Sequence, residues 1–153
     1  MTSWLTPDEQ QAWRAFLAAS ALISSALDAQ LQRDAEMPHG YYEVLVRLSE
    51  APEHTLRMSE LAEITQSSRS RLSHAVAKLE QRGWVARRAC ETDKRGQLAA
   101  LTPAGFAVLK QAAPGHVLAV RDVLFAALSA DQVEQLRCIG EAITSRQQQS
   151  PAS

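Results

Sequence analysis

The sequence predicts a mostly helical chain with a minor β component, and three observations carry that reading. The 153 residues include 26 alanines and 18 leucines, and both residue types favour helix. Thr6-Pro7-Asp8-Glu9, Thr102-Pro103 and Ser129-Ala130-Asp131-Gln132 are helix starts, each placing a hydroxyl cap before a proline or ahead of an acid or amide that can cap in return. A single stretch, Trp84 to Leu101, reads as β structure. With 46% hydrophobic and 22% charged residues, the chain has the balance of one globular domain with a core large enough to fold unaided.

The elements follow in order. The first helix runs from Pro7 to about Asp34, with an apolar stripe of Trp13, Phe16, Leu17, Leu27 and Leu31. Ser20, Ala21 and Ser24 lie near the same face, where small side chains let another helix come close. Pro38 and Gly40 are expected to break this element. A second helix, Tyr41 to Glu50, turns Tyr41, Val44, Leu45 and Leu48 inward, and Pro52 to Leu56 is expected to be loop. Ser59 opens a short helix carrying Leu61, Ala62 and Ile64. After the turn Thr65-Gln66-Ser67, Ser67 or Ser68 caps a helix over Arg69–Arg82. Its residues Leu72, Ala75, Val76 and Leu79 have the i, i+3, i+4, i+7 spacing of a buried stripe. Gly83 fits the position just past that helix. Two strands follow, Trp84–Cys90 and Gln97–Leu101, joined by Glu91 to Gly96. The long helix from Pro103 contains Phe106, Leu109, Ala113, Val117, Val120 and Leu124, and Pro114-Gly115 should kink it. A last helix carries Val133, Leu136, Ile139 and Ile143. The tail Gln147–Ser153 is expected to fray.

Several classes are excluded. The uncharged run Ala15–Leu27 is 13 residues long, short of the roughly 20 that a membrane span needs. No basic leader precedes Arg14, so a cytoplasmic chain without membrane partners is expected. Cys90 and Cys138 make neither a disulfide framework nor a zinc site. The histidines His39, His54, His74 and His116 are scattered, with no nucleophile elbow or phosphate-cradling glycine loop. Neither an enzyme nor a cofactor or metal is expected.

Net charge is −1, but its distribution is uneven. Arg57 to Arg95 holds nine basic and five acidic residues, and the remainder of the chain is net acidic. A basic centre between acidic ends is a footprint for phosphate. Two helices joined by a tight turn and followed by a basic hairpin form the layout of a winged helix-turn-helix, whose second helix enters the major groove of duplex DNA. With Leu72 and Val76 turned inward, Ser70, His74, Ala77 and Gln81 face outward, flanked by Arg71, Ser73 and Lys78. Serine and arginine read base edges. Backbone N–H groups near Ser67 and Ser68 receive phosphate. Lys78 and Arg82 suit phosphate contacts, and Arg69 and Arg87 belong to the same basic surface. Lys94 and Arg95 are expected at the hairpin tip, where an arginine fits the minor groove. Asp93 would pair with a nearby arginine and fix the loop.

Four motifs in order, Met58-Ser59-Glu60-Leu61-Ala62, Lys78-Leu79-Glu80-Gln81-Arg82-Gly83-Trp84-Val85-Ala86-Arg87, Asp93-Lys94-Arg95-Gly96 and Leu101-Thr102-Pro103-Ala104-Gly105, make the chain similar to the MarR family of bacterial transcription regulators. The resemblance covers nearly the whole chain. It implies a homodimer formed by the first and last two helices, with residues 6–36 and 102–147 as dimerisation helices and 55–101 as the DNA-binding region. It further implies a pseudo-palindromic operator, a repressor's role, and release by a small phenolic or anionic ligand. Ser70, Ser73, His74, Lys78 and Arg95 occupy the family's DNA-contact positions. Where the family commonly has Thr-Arg, this chain has Ser73-His74.

Two switches are compatible with this layout. The resemblance places an effector pocket between the first two helices and the fifth, for which Trp13, Leu17, His39 and Tyr42 are candidates. The other switch is thiol oxidation: Cys90 is expected partly exposed beside Arg87 and Arg88, and Cys138 buried in the last helix. A winged helix used for protein contact without DNA is the third alternative.

Overall fold

The computed structural model describes residues 4–149. It contains α1 (Pro7–Ala35), α2 (His39–Glu50), β1 (Thr55–Arg57), α3 (Met58–Ile64), α4 (Arg69–Gln81), β2 (Val85–Cys90), β3 (Asp93–Leu101), α5 (Pro103–Val123) and α6 (Ala130–Gln149), with 3-10 turns at Pro52–His54 and Phe125–Ala127. The mostly helical class holds: 74% of the described chain is helical, around one small antiparallel sheet.

The helix starts form as expected. At α1, Glu9 N–H donates to Thr6 Oγ1 (3.2 Å) and Thr6 N–H to Glu9 Oε2 (2.7 Å). At α6, the same reciprocal pair joins Ser129 and Gln132. Ser68, rather than Ser67, caps α4, accepting from Arg71 N–H at 3.2 Å. Gly83 takes φ +74° past the end of α4, a left-handed conformation that glycine adopts without steric cost.

The core lies where α2, α3, α4 and α5 meet the sheet. Leu45, Leu48, Leu61, Val76, Leu79 and Ala99 are completely buried there, joined by Leu31 near the end of α1 and Met37 in the connection to α2. The sheet order is β1-β3-β2, with Leu56 and Arg87 flanking Ala99. α1 packs mainly on α5 and α2. α6 turns 106° from the preceding helix and is exposed over residues 130–147.

The structure corrects several expectations. Gly40 lies inside α2, which starts at His39, so Glu36, Met37 and Pro38 separate the first two helices and Gly40 does not. The presumed loop after Pro52 contains β1, a three-residue strand that pairs with β3 and shows no alternation of its own. Pro114 lies inside α5 and does not interrupt it, a continuity compatible with the kink expected there. The carbonyl of Lys110, which proline leaves without a donor, belongs to an exposed residue. Only Leu27 and Leu31 of the expected α1 stripe are buried; Trp13, Phe16 and Leu17 are 45–58% exposed, because the protomer packs nothing against that half of the helix. The final residues of α6 remain helical to Gln149, and 150–153 lie outside the described residues. Among the described residues, no single helix is long and apolar enough to cross a membrane.

Candidate nucleic-acid interface

The turn between α3 and α4 is closed by Gln66 at φ +52°, with Ser67 N–H donating to Ala62 O at 3.0 Å. This turn fixes the start of α4 over the core. Leu72, Val76 and Leu79 are buried beneath it, so Arg69, Ser70, Arg71, Ser73, His74 and Lys78 all stand exposed. Ser67 is half-buried, and the Ser68 hydroxyl is already engaged by its capping bond.

The hairpin differs in detail from the expected six-residue loop. The reversal is made by Glu91 and Thr92, because Cys90 pairs with Asp93 while Ala89 pairs with Gln97. Lys94, Arg95 and Gly96 therefore bulge from β3 beside the tip, outside the regular ladder. A bulge re-aims side chains and ends pairing, and it leaves the Arg95 side chain exposed and, among the described residues, without a carboxylate partner. The Lys94 side chain lies outside the described residues.

Asp93 fixes this bulge. Its Oδ1 accepts from Arg95 N–H at 3.0 Å, and its Oδ2 lies 3.9 Å from Arg57 Nη1. Arg57 Nη2 also donates to Thr92 Oγ1 at 3.2 Å. The arginine partner expected for Asp93 is thus Arg57, from β1. Sequence reasoning gave Arg57 no role, because 36 positions separate it from Asp93 and only the β1–β3 pairing brings them together.

Arg57, Ser59, Arg69, Ser73, Asp93 and Arg95 line one open groove of about 450 Å³. Its two walls are the start of α4 and the bulged wing. Three of the lining residues are cations and one is an anion already held by Arg57. Such a surface offers a polyanion several guanidinium groups together with serine hydroxyls.

Two other arginines are engaged inside the protein. Arg87 Nη2 bonds Glu80 Oε1 at 3.2 Å, and its main-chain N–H bonds Glu80 Oε2 at 3.1 Å. Together these hold the Glu80 carboxyl below the usual carboxylate range, the amide contributing most. Arg82, read from the sequence as a phosphate contact, instead directs its guanidinium to Glu36 O and Trp84.

The effector candidates divide between two places. Tyr42 is buried and packs its ring 4.4 Å from that of His116, while the His39 ring lies 5.4 Å from His116. His116 is buried, and its Nδ1 bonds Gln30 Oε1 at 3.0 Å. Burial first, and the neighbouring His39 second, hold this imidazole below its ordinary pKa. Trp13 and Leu17 stand about 25 and about 20 Å up α1 from Gln30, at 1.5 Å per residue. Within one protomer, a single small ligand cannot reach both groups.

The two cysteines exchange their expected environments. Cys90 is buried and Cys138 exposed. The register shift at Ala89/Cys90 breaks the in–out alternation of β2 and turns Cys90 inward. Cys138 is exposed because nothing in the protomer covers α6. Thr92, whose hydroxyl lies 3.2 Å from Cys90 Sγ, holds that thiol below its ordinary value, with a smaller pull from Arg57.

The similarities to known proteins agree with this geometry. Residues 36–96 match the model of the MarR family. Over 102 residues the chain is 31% identical to the transcriptional repressor MprA of Escherichia coli K12, a match covering 67% of this chain and 57% of that protein's length. Among solved structures, Sco3205, a MarR family transcriptional regulator from Streptomyces coelicolor in complex with DNA, is 51% identical. That alignment covers 94% of this chain and 90% of the other, with a TM-score of 0.90. AbsC, a MarR family regulator from the same organism, is 36% identical over 97% of this chain and all of its own, with a TM-score of 0.89. The chain belongs to the MarR family.

Proposed function

We propose that the chain is a homodimeric, sequence-specific DNA-binding regulator of transcription, acting in the cytoplasm as a repressor on a pseudo-palindromic operator. The observation that carries this reading is the groove shared by Arg69 and Ser73 of α4 and Arg95 of the wing, beside the exposed polar face of α4. In this reading Ser70, Arg71, Ser73 and His74 meet base edges in the major groove, and Arg95 enters the neighbouring minor groove. Ser67, Ser68, Arg69, Lys78 and Lys94 meet phosphate. Arg87 is tied to Glu80 and contributes to the local field more than to direct contact. The complex of Sco3205 with DNA supports the assignment by similarity.

The dimer is supported by the apolar side chains that the protomer leaves bare. Trp13, Phe16 and Leu22 on α1, Leu118 on α5, and Ile139 and Ile143 on α6 are all 50% or more exposed. Apolar surface on this scale marks an interface. A two-fold axis through these helices would set two α4 helices about 34 Å apart, one turn of duplex.

Release by a small phenolic or anionic ligand is assigned to the junction of α1, α2 and α5. His39, Tyr42 and His116 offer polar and ring contacts there, and Trp13 and Leu17 join them only through a second protomer.

Binding to duplexes selected from a randomised library, followed by fluorescence anisotropy over a salt series, tests the proposal. Affinity should fall steeply with salt, with a log–log slope near −0.9 per neutralised phosphate. Arg95→Ala should lose roughly tenfold or more in affinity, the loss of a charged groove contact, with the dimer intact. A wild-type protein that enriches no duplex, or binds without salt dependence, would point to a protein-contact module instead.

A further inference from the structure

Arg82 ends α4 and occupies a position that DNA contact does not explain. Its Nη1 donates to the main-chain carbonyl of Glu36 at 3.0 Å. Its guanidinium carbon lies 4.9 Å from the centre of the Trp84 ring. Glu36 is the residue that closes α1, in the left-handed conformation at φ 50°, ψ 35°. The last carbonyls of a helix lack internal donors and carry partial negative charge. A guanidinium at that end satisfies a bare acceptor and the helix dipole together, and the indole face beneath it holds its plane.

The consequence is mechanical. α1 packs on α5 and α2 rather than along α4, so the two helices approach each other end to end. α4 is 13 residues long, about 20 Å. Its far end carries Arg69, Ser70 and Ser73. A tilt of about 5° pivoting at Arg82 displaces that end by roughly 1.7 Å over this length, more than a directional hydrogen bond to a base tolerates.

We infer that Arg82 is a positioning residue: by clamping the end of α4 to the end of α1, it sets the angle of the recognition helix relative to the dimerisation helices, and thereby the spacing of half-sites the dimer accepts. This rests on the reading of the chain as a DNA-binding dimer.

The test uses Arg82→Met, which keeps the apolar stem over Trp84 and removes the donors, and Arg82→Lys, which keeps a cation without the planar fork. Three probes are needed: the pseudo-palindrome selected by the wild-type protein, the same duplex with one base pair added or removed between half-sites, and one with a half-site scrambled. Arg82→Met should retain the wild-type thermal midpoint within a few degrees. It should bind the scrambled duplex within twofold of wild type and lose at least threefold of the preference for native spacing. Arg82→Lys should restore part of that preference; if Arg82→Met does not fold, the spacing ratio of Arg82→Lys against wild type decides. An unchanged spacing ratio overturns the inference. An equal loss on every duplex also overturns it, and returns Arg82 to phosphate contact. If the wild-type protein selects no duplex, the DNA-binding reading itself fails, and the inference with it.

Discussion

Gly105→Ala gives a sharp test of how the wing is joined to the helical frame. Gly105 is the third residue of α5 and is buried. Its N–H donates to Thr102 Oγ1 at 3.0 Å, the Thr102 hydroxyl donates to Gly83 O at 2.6 Å, and Thr102 N–H donates to Trp84 O at 3.0 Å. The start of α5 is thereby tied to the segment leading into β2, and Gly105 lies directly against it. A β-carbon at 105 would fall inside the van der Waals envelope of the Trp84 carbonyl oxygen, 2.9 Å from the Trp84 carbonyl carbon and 2.8 Å from Leu101 Cδ1. Comfortable carbon–carbon separation is about 3.5–4.0 Å, so the two segments must part by roughly 1 Å.

Leu101 can rotate away, but the Trp84 carbonyl is backbone inside a hydrogen-bonded junction. Overpacking of this kind costs about 1–3 kcal/mol, occasionally more, while the gain from replacing a helical glycine is at most about 1 kcal/mol. The net expectation is a loss of about 1–2 kcal/mol, or a thermal midpoint lower by roughly 3–8 °C for a chain of this size. Circular dichroism melts at one fixed protomer concentration measure it, since association would shift the midpoint. Gly40→Ala is the control: nothing lies within 4 Å of a β-carbon there, and its midpoint should stay level or rise. A Gly105→Ala protein as stable as wild type would refute the close-approach argument, and with it the explanation of why glycine follows Thr-Pro-Ala in this turn.

Other expectations follow from the same geometry. Lys78→Ala should weaken binding to every duplex alike and reduce the salt slope by about one unit, as loss of one phosphate contact requires; a change in base preference alone would contradict it. Ile139→Glu, which puts a carboxylate into the bare face of α6, should shift the protein to monomer in sedimentation while the core around Leu45 and Val76 stays folded. Persistence of the dimer would remove α6 from the interface. Burial holds His116 neutral in the folded state, so the unfolded chain takes up the proton first as pH falls. Its contribution is complete above the ordinary histidine pKa of about 6.5 and is lost as pH drops through that value toward the lower folded one. The midpoint should therefore drop as pH is lowered through about 6.5, and His116→Gln should flatten that portion of the profile.

The helices were legible because their signals are local. Caps at Thr6, Ser68, Thr102 and Ser129, and the stripe Leu72-Val76-Leu79, act within a turn or two of chain. Where the reading missed, the deciding partner was distant. β1 has three residues and exists as a strand because Leu56 meets Ala99. Gly40 sits in a helix because Pro38 starts that helix early, and a glycine at its second position costs little. The exposed half of α1 has a core-like pattern, yet nothing among the described residues packs against it.

The candidate interface divides along the same line. Residues on α4 were placed correctly from a helical wheel, since one buried stripe fixes the opposite face. In the wing, β2 and the Gln97–Leu101 part of β3 lie where expected, but the tip does not, because a bulge changes the parity of every residue beyond it. That single shift turns Cys90 inward, moves the reversal to Glu91-Thr92, and carries Arg95 off the ladder. Four arginines of the segment then separate by partner. Arg57 holds Asp93, Arg87 holds Glu80, and Arg82 holds the end of α1, while Arg95, among the described residues, has no carboxylate partner. A cation engaged by the protein's own acceptors has less to offer a phosphate than one left free, so assignment of the basic residues depends on intramolecular competition more than on their number. The net charge of the Arg57–Arg95 segment overstates the surface available to DNA for that reason, and the salt slope should report the unpaired cations rather than the full basic count.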